Sequence, residues 1–281
     1  MRTTAPKLTK YGSSIVLYIT LIAATAIVLT PLYIVFVNGF KGAEEYARSS
    51  VFALPKSFFN FENLKIVIER GKFVRAFANT GIIIGISVAG NVLIGTMAAY
   101  ALGRFQFKFR PIVIGLYSGA VLIPAVTTQV ATFSLIKDLG LINTHFAPIV
   151  LYLGTDILQI YLYLQFIRNI PYDLDESAMM EGASLFRIFR SVVLPLMVPA
   201  IATNIILKTI NIYNDMYTPY LYMPSKDLNV VSTVLMRFSS VQITQWNIMC
   251  MAIIVIVIPS IIIYLFMQRY IFAGIVSGAV K

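Results

Sequence analysis

The chain has 281 residues, 58% of them hydrophobic and 12% charged, with a formal net charge of +10. That balance is too apolar for a soluble domain of this length and belongs to the polytopic membrane class. The Lys and Arg residues are scattered between apolar runs without a basic arm or recognition motif, which argues against nucleic acid and for anionic lipid headgroups as the partner. A single Cys250 inside an apolar run excludes a disulfide framework, and the lone His145, with no Cys or second His beside it, reads as a solvated loop residue.

At the N-terminus, Arg2, Lys7 and Lys10 precede an apolar run from Ile15 to Val37. The run is too long for a signal core and lacks a small-residue cleavage site followed by a soluble domain, so it is expected to stay as a first membrane span. Further spans follow, giving an all-α, polytopic membrane protein of six transmembrane helices at about residues 13–37, 77–102, 112–136, 146–167, 200–223 and 246–268, within one membrane domain covering 1–281. The Lys/Arg count is nearly even on the two sides. The charge rule is therefore a weak guide, and the compact basic clusters Arg2/Lys7/Lys10 and Arg104/Lys108/Arg110 favour cytoplasmic termini.

The first long loop carries Pro55, Phe58, Phe59 and the stretch FENLKIVIERGKFVRAF, whose mixture of aromatic and charged residues is that of an interfacial amphipathic helix on the outer surface. In the second span Gly81 and Gly85 form a GxxxG pair, and Gly115 with Gly119 forms another in the third, a pattern that lets helix backbones approach closely. Pro124, followed by Thr127, Thr128 and Gln129, predicts a kinked or broken third helix facing protein or water. The fourth span carries a short polar stripe of Asp156, Gln159 and Tyr163.

Between the fourth and fifth spans lies 171–199, PYDLDESAMMEGASLFRIFRSVVLPLMVP. Asp173, Asp175 and Glu176 suit a first helical turn just after Pro171, where negative charge is favoured. Gly182 interrupts the pattern, and Ser184 as N-cap opens a second short helix through Phe186, Phe189 and Val193 to Pro195. An apolar face on so short a helix pair cannot be buried by the loop itself, which suggests a docking surface for another subunit. In the fifth span Asn204, Lys208, Asn211 and Asp215 recur at steps of four, three and four on one helix face. A charge at mid-membrane excludes lipid contact, which leaves interhelical hydrogen bonding or a translocation lining as readings of both stripes.

Glu176, Ser177 and Ala178, then three residues, Gly182, nine residues, Val192, one residue, Leu194 and Pro195 resemble the EAA loop of permease subunits of bacterial ABC importers, with Ser177 for the usual second Ala and Val192 for the usual Ile. Asn214 and Asp215 with Pro219 resemble the WND…P segment of the carbohydrate-type, MalG-like, binding-protein-dependent permeases, where Tyr213 and Thr218 stand in place of Trp. The ending QRYIFAGIVSGAVK and the segments LPKSFF, AYALGRFQFKFR and IPAV fit the same group.

The resemblance implies that 171–199 is a cytoplasmic two-helix coupling loop seated in a cleft of an ATPase subunit, which together with the basic clusters implies that both termini are cytoplasmic. Its coupling residues would be Glu176, Ser177, Ala178, Glu181, Gly182, Ala183, Phe186, Phe189, Leu194 and Pro195, with Phe186 and Phe189 as anchors in that cleft and Glu176 and Gly182 shaping the helix pair. A translocation path would be lined by Asp156, Gln159, Asn204, Lys208, Asn211, Asn214 and Asp215. The implied partners are a second homologous permease, two ATPase subunits and an extracytoplasmic solute-binding protein, in the bacterial inner membrane, with a sugar or oligosaccharide as cargo. A glycerol phosphate or another small polar solute is the alternative cargo.

No GxxxxGK[ST] is present, since the Gly71–Lys72 pair is followed by Phe73, and there is no nucleophile–base or paired Glu/His motif. The chain is therefore expected to bind no cofactor and catalyse nothing itself, with ATP and Mg in the partner ATPase. An ion-coupled secondary transporter is the rival class, and it would call for an internal repeat that the two halves do not show.

Overall fold

The structure is a computed structural model that describes the backbone of residues 7–239 and 245–279, and the side chains of 14–235 and 245–266 apart from 125 and 263. Arg2 of the N-terminal basic cluster and the last two residues of the tail lie outside the described residues. Every regular element described is a helix. The chain forms two compact units, one of residues 1–72 with 235–258 and one of 73–234 with 259–281.

The first unit opens with α1 (Lys7–Gly39), followed by α2 (Ala43–Arg48) and α3 (Glu62–Gly71). The outer-loop stretch expected to be one amphipathic helix is divided: α3 ends at Gly71 with Lys72 as its C-cap, whose φ of 48° is left-handed, and the next helix begins at Phe73. Within α3 the amphipathic reading holds, because Asn63, Val67 and Gly71 are buried at steps of four while Glu62, Lys65, Glu69 and Arg70 are exposed.

The second unit is built on α4 (Phe73–Arg104). Its buried column Asn79, Ile83, Ser87, Asn91, Gly95 and Ala99 climbs in steps of four. Next come α5 (Arg110–Ala120) and α6 (Ala125–Asp138), α7 (Phe146–Leu153) and α8 (Ile157–Asn169), α9 (Asp173–Met180) and α10 (Leu185–Ile188), a π-turn Phe189–Val193, α11 (Leu194–Leu196), α12 (Val198–Asn214) and α13 (Tyr217–Tyr222). Helix α4 packs against α7, α8 and α12. The chain ends with α14 (Val231–Ser239) and α15 (Trp246–Ala279). The residues of α15 up to Ile258 belong to the first unit, where Asn247 donates to Asn63 Oδ1 at 3.1 Å and Asn63 donates to the Gly39 carbonyl at 2.7 Å.

Among the described residues three helical stretches are long and apolar enough to cross a membrane: Ser14–Gly39, Phe73–Arg104 and Trp246–Phe266, with mean hydropathies of 2.3, 2.0 and 2.9. Two bent pairs raise that number to five if each is one span: Phe146–Leu153 with Ile157–Asn169, bent by 47°, and Leu185–Leu196 with Val198–Asn214, bent by 75°. The expected third span is broken as Pro124 requires, with α5 ending at Ala120 and Pro124 serving as N-cap of α6.

The glycines that bring helices together inside the chain are not the GxxxG pairs. Among the described residues a side chain at Gly81, Gly85, Gly115 or Gly119 would meet nothing within 4 Å, whereas one at Gly95 would collide with Gln159 of α8. Those pairs therefore face away from this chain's own packing.

Candidate functional site: the helix pair and the broken-helix cavity

The 171–199 segment folds as a helix, a glycine turn and a helix. After α9, the Gly182 N–H donates to the Met179 carbonyl and the Ala183 N–H to the Ala178 carbonyl, both at 2.9 Å. With Gly182 at φ +80°, this is a Schellman cap, in which a residue without Cβ takes the left-handed position at least cost. Ser184 caps α10 by accepting from the Arg187 N–H at 3.4 Å. The second helix runs past the expected stop at Pro195 to Leu196. It does so through the π-turn, where the Leu194 N–H reaches back five residues to the Phe189 carbonyl and the ladder widens just before the residue that has no N–H to give.

The motif residues divide by direction. Ala178, Ala183, Val192 and Leu194 pack against a core of this chain made by Tyr100, Tyr163, Ile167, Ile188, Val193 and Met197. Glu176, Ser177, Glu181, Gly182 and Pro195 are exposed, as are Met180 at 89%, Phe186 at 62% and Leu185 at 50%. Phe189 does not serve as an outward anchor: it is 4% exposed, its ring 5.3 Å from that of Tyr100 within the chain's own core. Helical spacing put it on a face with Phe186, but the second helix turns that position inward.

Asp175 is the residue of α9 whose role differs most from the expected one. Its side chain is buried against Arg104, the last residue of α4, with Nε to Oδ2 at 2.9 Å and a second contact at 3.4 Å. Burial raises the Asp175 carboxyl above its ordinary pKa, and the Arg104 guanidinium pulls it back only in part. Arg104 also donates to the carbonyl of Ile170, the C-cap of α8, at 3.1 Å and lies over the Tyr172 ring at 5.6 Å. Spacing along the chain gave no sign of this contact, since the two ionic partners are 71 residues apart.

Inside the bundle, the gap between α7 and α8 exposes backbone carbonyls that lipid would leave unpaired. They are met by side chains: Asn91 of α4 donates to the Gly154 carbonyl at 2.8 Å and Lys208 of α12 to the same oxygen at 3.3 Å. Asp156 caps α8 by accepting from the Gln159 N–H at 2.9 Å. Asn91 is a hub that the sequence reading placed only as a polar residue of the second span. Its carbonyl accepts from Gln159 Nε2 at 3.1 Å and its Oδ1 from Asn204 at 3.2 Å.

Beside this break lies a cavity of about 370 Å³, within the range of ligand pockets. Asp156, Gln159, Asn204, Lys208 and Asn211 line it, so two stripes found on separate spans meet at one place. Two of the expected lining residues lie elsewhere. Asp215 ends α12 and accepts from Tyr152 Oη at 2.8 Å, from the Thr218 hydroxyl at 2.6 Å and from the Thr218 N–H at 3.1 Å, so it caps the turn into α13. Asn214 lines a smaller cavity of about 200 Å³ between α12 and α15 with Tyr213, Ser260 and Tyr264. Tyr163 is buried in the core rather than on the cavity. His145 is half-buried rather than solvated, and burial first, then Arg75, lowers its pKa. Among the described residues no group of three His, Cys, Asp or Glu could hold a metal.

Residues 81–276 match the family model for the binding-protein-dependent transport system inner membrane component. The chain is 30% identical over 255 residues, 89% of its length and 91% of the relative's, to the melibiose/raffinose/stachyose import permease protein MelC of Bacillus subtilis (strain 168). It is 31% identical over 256 residues, 90% of its length and 92% of the relative's, to the probable starch degradation products transport system permease protein AmyC of Thermoanaerobacterium thermosulfurigenes. Its fold is that of a chain in the crystal structure of a bacterial ABC transporter involved in the import of the acidic polysaccharide alginate, with a TM-score of 0.83, 20% identity and coverage of 96% and 99%. The chain belongs to the inner membrane components of binding-protein-dependent transport systems.

Proposed function

We propose that this chain is one permease half of an ABC importer for a sugar or oligosaccharide, spanning the bacterial inner membrane six times with both termini in the cytoplasm. ATP hydrolysis belongs to a separate ATPase subunit. The α9–α10 helix pair is the part that the ATPase grips, and the cavity beside the α7–α8 break lies on the path of the cargo. A homologous permease, a pair of ATPase subunits and an external solute-binding protein complete the assembly.

The observation that carries this reading is the two-sided build of the helix pair. Ala178, Ala183, Val192 and Leu194 pack on the chain's own core, while Met180, Leu185 and Phe186 are exposed among the described residues. Apolar side chains on a rigid, capped turn are the elements of a docking surface. The carbohydrate names of its relatives favour sugar over glycerol phosphate as cargo. The cavity agrees, because its hydroxyl-matching amides Gln159, Asn204 and Asn211 are accompanied by one carboxylate and one ammonium that balance in charge.

The test is uptake by the assembled importer carrying Gly182→Asp or Glu176→Lys in this chain. Transport is expected to vanish while the external receptor still binds its sugar. Unimpaired ATP-driven uptake with either substitution would refute the docking role.

A further inference from the structure

From the contacts of a single guanidinium we infer that Arg104 and Asp175 form the joint through which movement of the docked helix pair reaches the cavity, making both residues positioning residues for transport. This rests on the reading of α9–α10 as the ATPase dock.

Arg104 touches three structures at once: the first turn of α9 through Asp175, the C-cap of α8 through the Ile170 carbonyl, and the linker between them through the Tyr172 ring. It is itself the end of α4. The paired side chains are 8% and 2% exposed, so water does not loosen the contact. Thirteen residues up the same helix, roughly 20 Å at the helical rise, Asn91 holds the Gly154 carbonyl, Gln159 and Asn204, three partners at the cavity. Helix α4 grips at its last residue and again at its middle, and α8 is held by both grips, at Gln159 and at Ile170. A tilt of α9 thereby displaces α4 and α8 together instead of being absorbed in the linker.

Stability alone does not account for the pair. Burial outweighs the attraction of Arg104 in setting the state of Asp175, and buried ion pairs are often replaceable by apolar residues of similar volume without loss. What an apolar pair lacks is the charge contact of guanidinium on carboxylate and the hydrogen bonds that tie the same guanidinium to Asp175 and to the Ile170 carbonyl.

The experiment uses the full importer in liposomes, with Cys250→Ala and Asn211→Cys in this chain, and reads the labelling rate of the cavity cysteine by a small cationic thiol reagent without nucleotide and with ATP, Mg and vanadate. In the parent the nucleotide is expected to change the rate about tenfold. In Arg104→Met with Asp175→Leu, and in Arg104→Gln with Asp175→Asn, the change should shrink to about twofold or less while ATP hydrolysis continues. A parent-like change in both assembled variants overturns the inference. Failure of both pairs of substitutions to assemble overturns it too, because it makes the contact a folding element. A parent whose labelling ignores nucleotide strikes the underlying reading of the dock, a result distinct from either.

Discussion

Gly182 and Asp215 show how single residues acquire roles that their position on a helical wheel does not reveal. At Gly182 open space surrounds the missing Cβ, so the demand for glycine comes from φ +80° alone. Gly182→Ala is expected to lower stability by about 1–2 kcal/mol, and Gly182→Asn by less, because Asn tolerates the left-handed region. Thermal unfolding of the detergent-solubilised assembly measures both. Asp215 and Lys208 share a helical stripe but diverge in consequence. Asp215→Ala removes the acceptor for Tyr152 and Thr218 and should cost about 1–3 kcal/mol of stability. Lys208→Ala removes one cavity-lining cation with a single weak bond at 3.3 Å, and should reduce uptake with little change in unfolding temperature. Equal losses of stability in the two variants would return Lys208 to a purely structural role.

At the scale of elements, the broken helix α7–α8 and the capped pair α9–α10 were unequally legible. The limits of α9 and α10, the turn at Gly182 and the cap at Ser184 follow from local chemistry, and local chemistry is what neighbouring residues report. The break at Pro124 was legible for the same reason, because proline acts on the residue before it. The break at Gly154 was not: a lone glycine is tolerated in a helical pattern, and the partner that meets its carbonyl is Asn91, 63 residues away. The same limit hid the Arg104–Asp175 pair and the inward turn of Phe189. Periodicity says which residues share a face and is silent about what that face meets. The Asn91 hub gives this difference a measurable form. Asn91→Leu leaves the Gly154 carbonyl and the Asn204 amide short of a partner and should destabilise the bundle by about 1–3 kcal/mol, with Asn91→Asp or Asn91→Ser recovering part of it.

For the whole molecule, the exposed surfaces are informative about what surrounds it. All of Ser14–Tyr33 is exposed within the chain, and the Gly81/Gly85 and Gly115/Gly119 pairs face open space. Lipid is one cover that suits such a surface, and under the proposed function a second permease of similar build would be another. The cavity lies between α8 and α12, and the Arg104–Asp175 contact ties the end of α4 to α9, so under the proposed function the work of nucleotide turnover would enter at the end of α4 where Arg104 sits. The most direct measurement is cross-linking from a single cysteine at Met180→Cys, in a Cys250→Ala background, within membranes holding the assembled importer. An adduct with the ATPase subunit is expected, forming from the cytoplasmic side and changing in yield when ATP is added. Modification of that cysteine by an impermeant reagent from outside the cell, with no adduct to the ATPase, would contradict it.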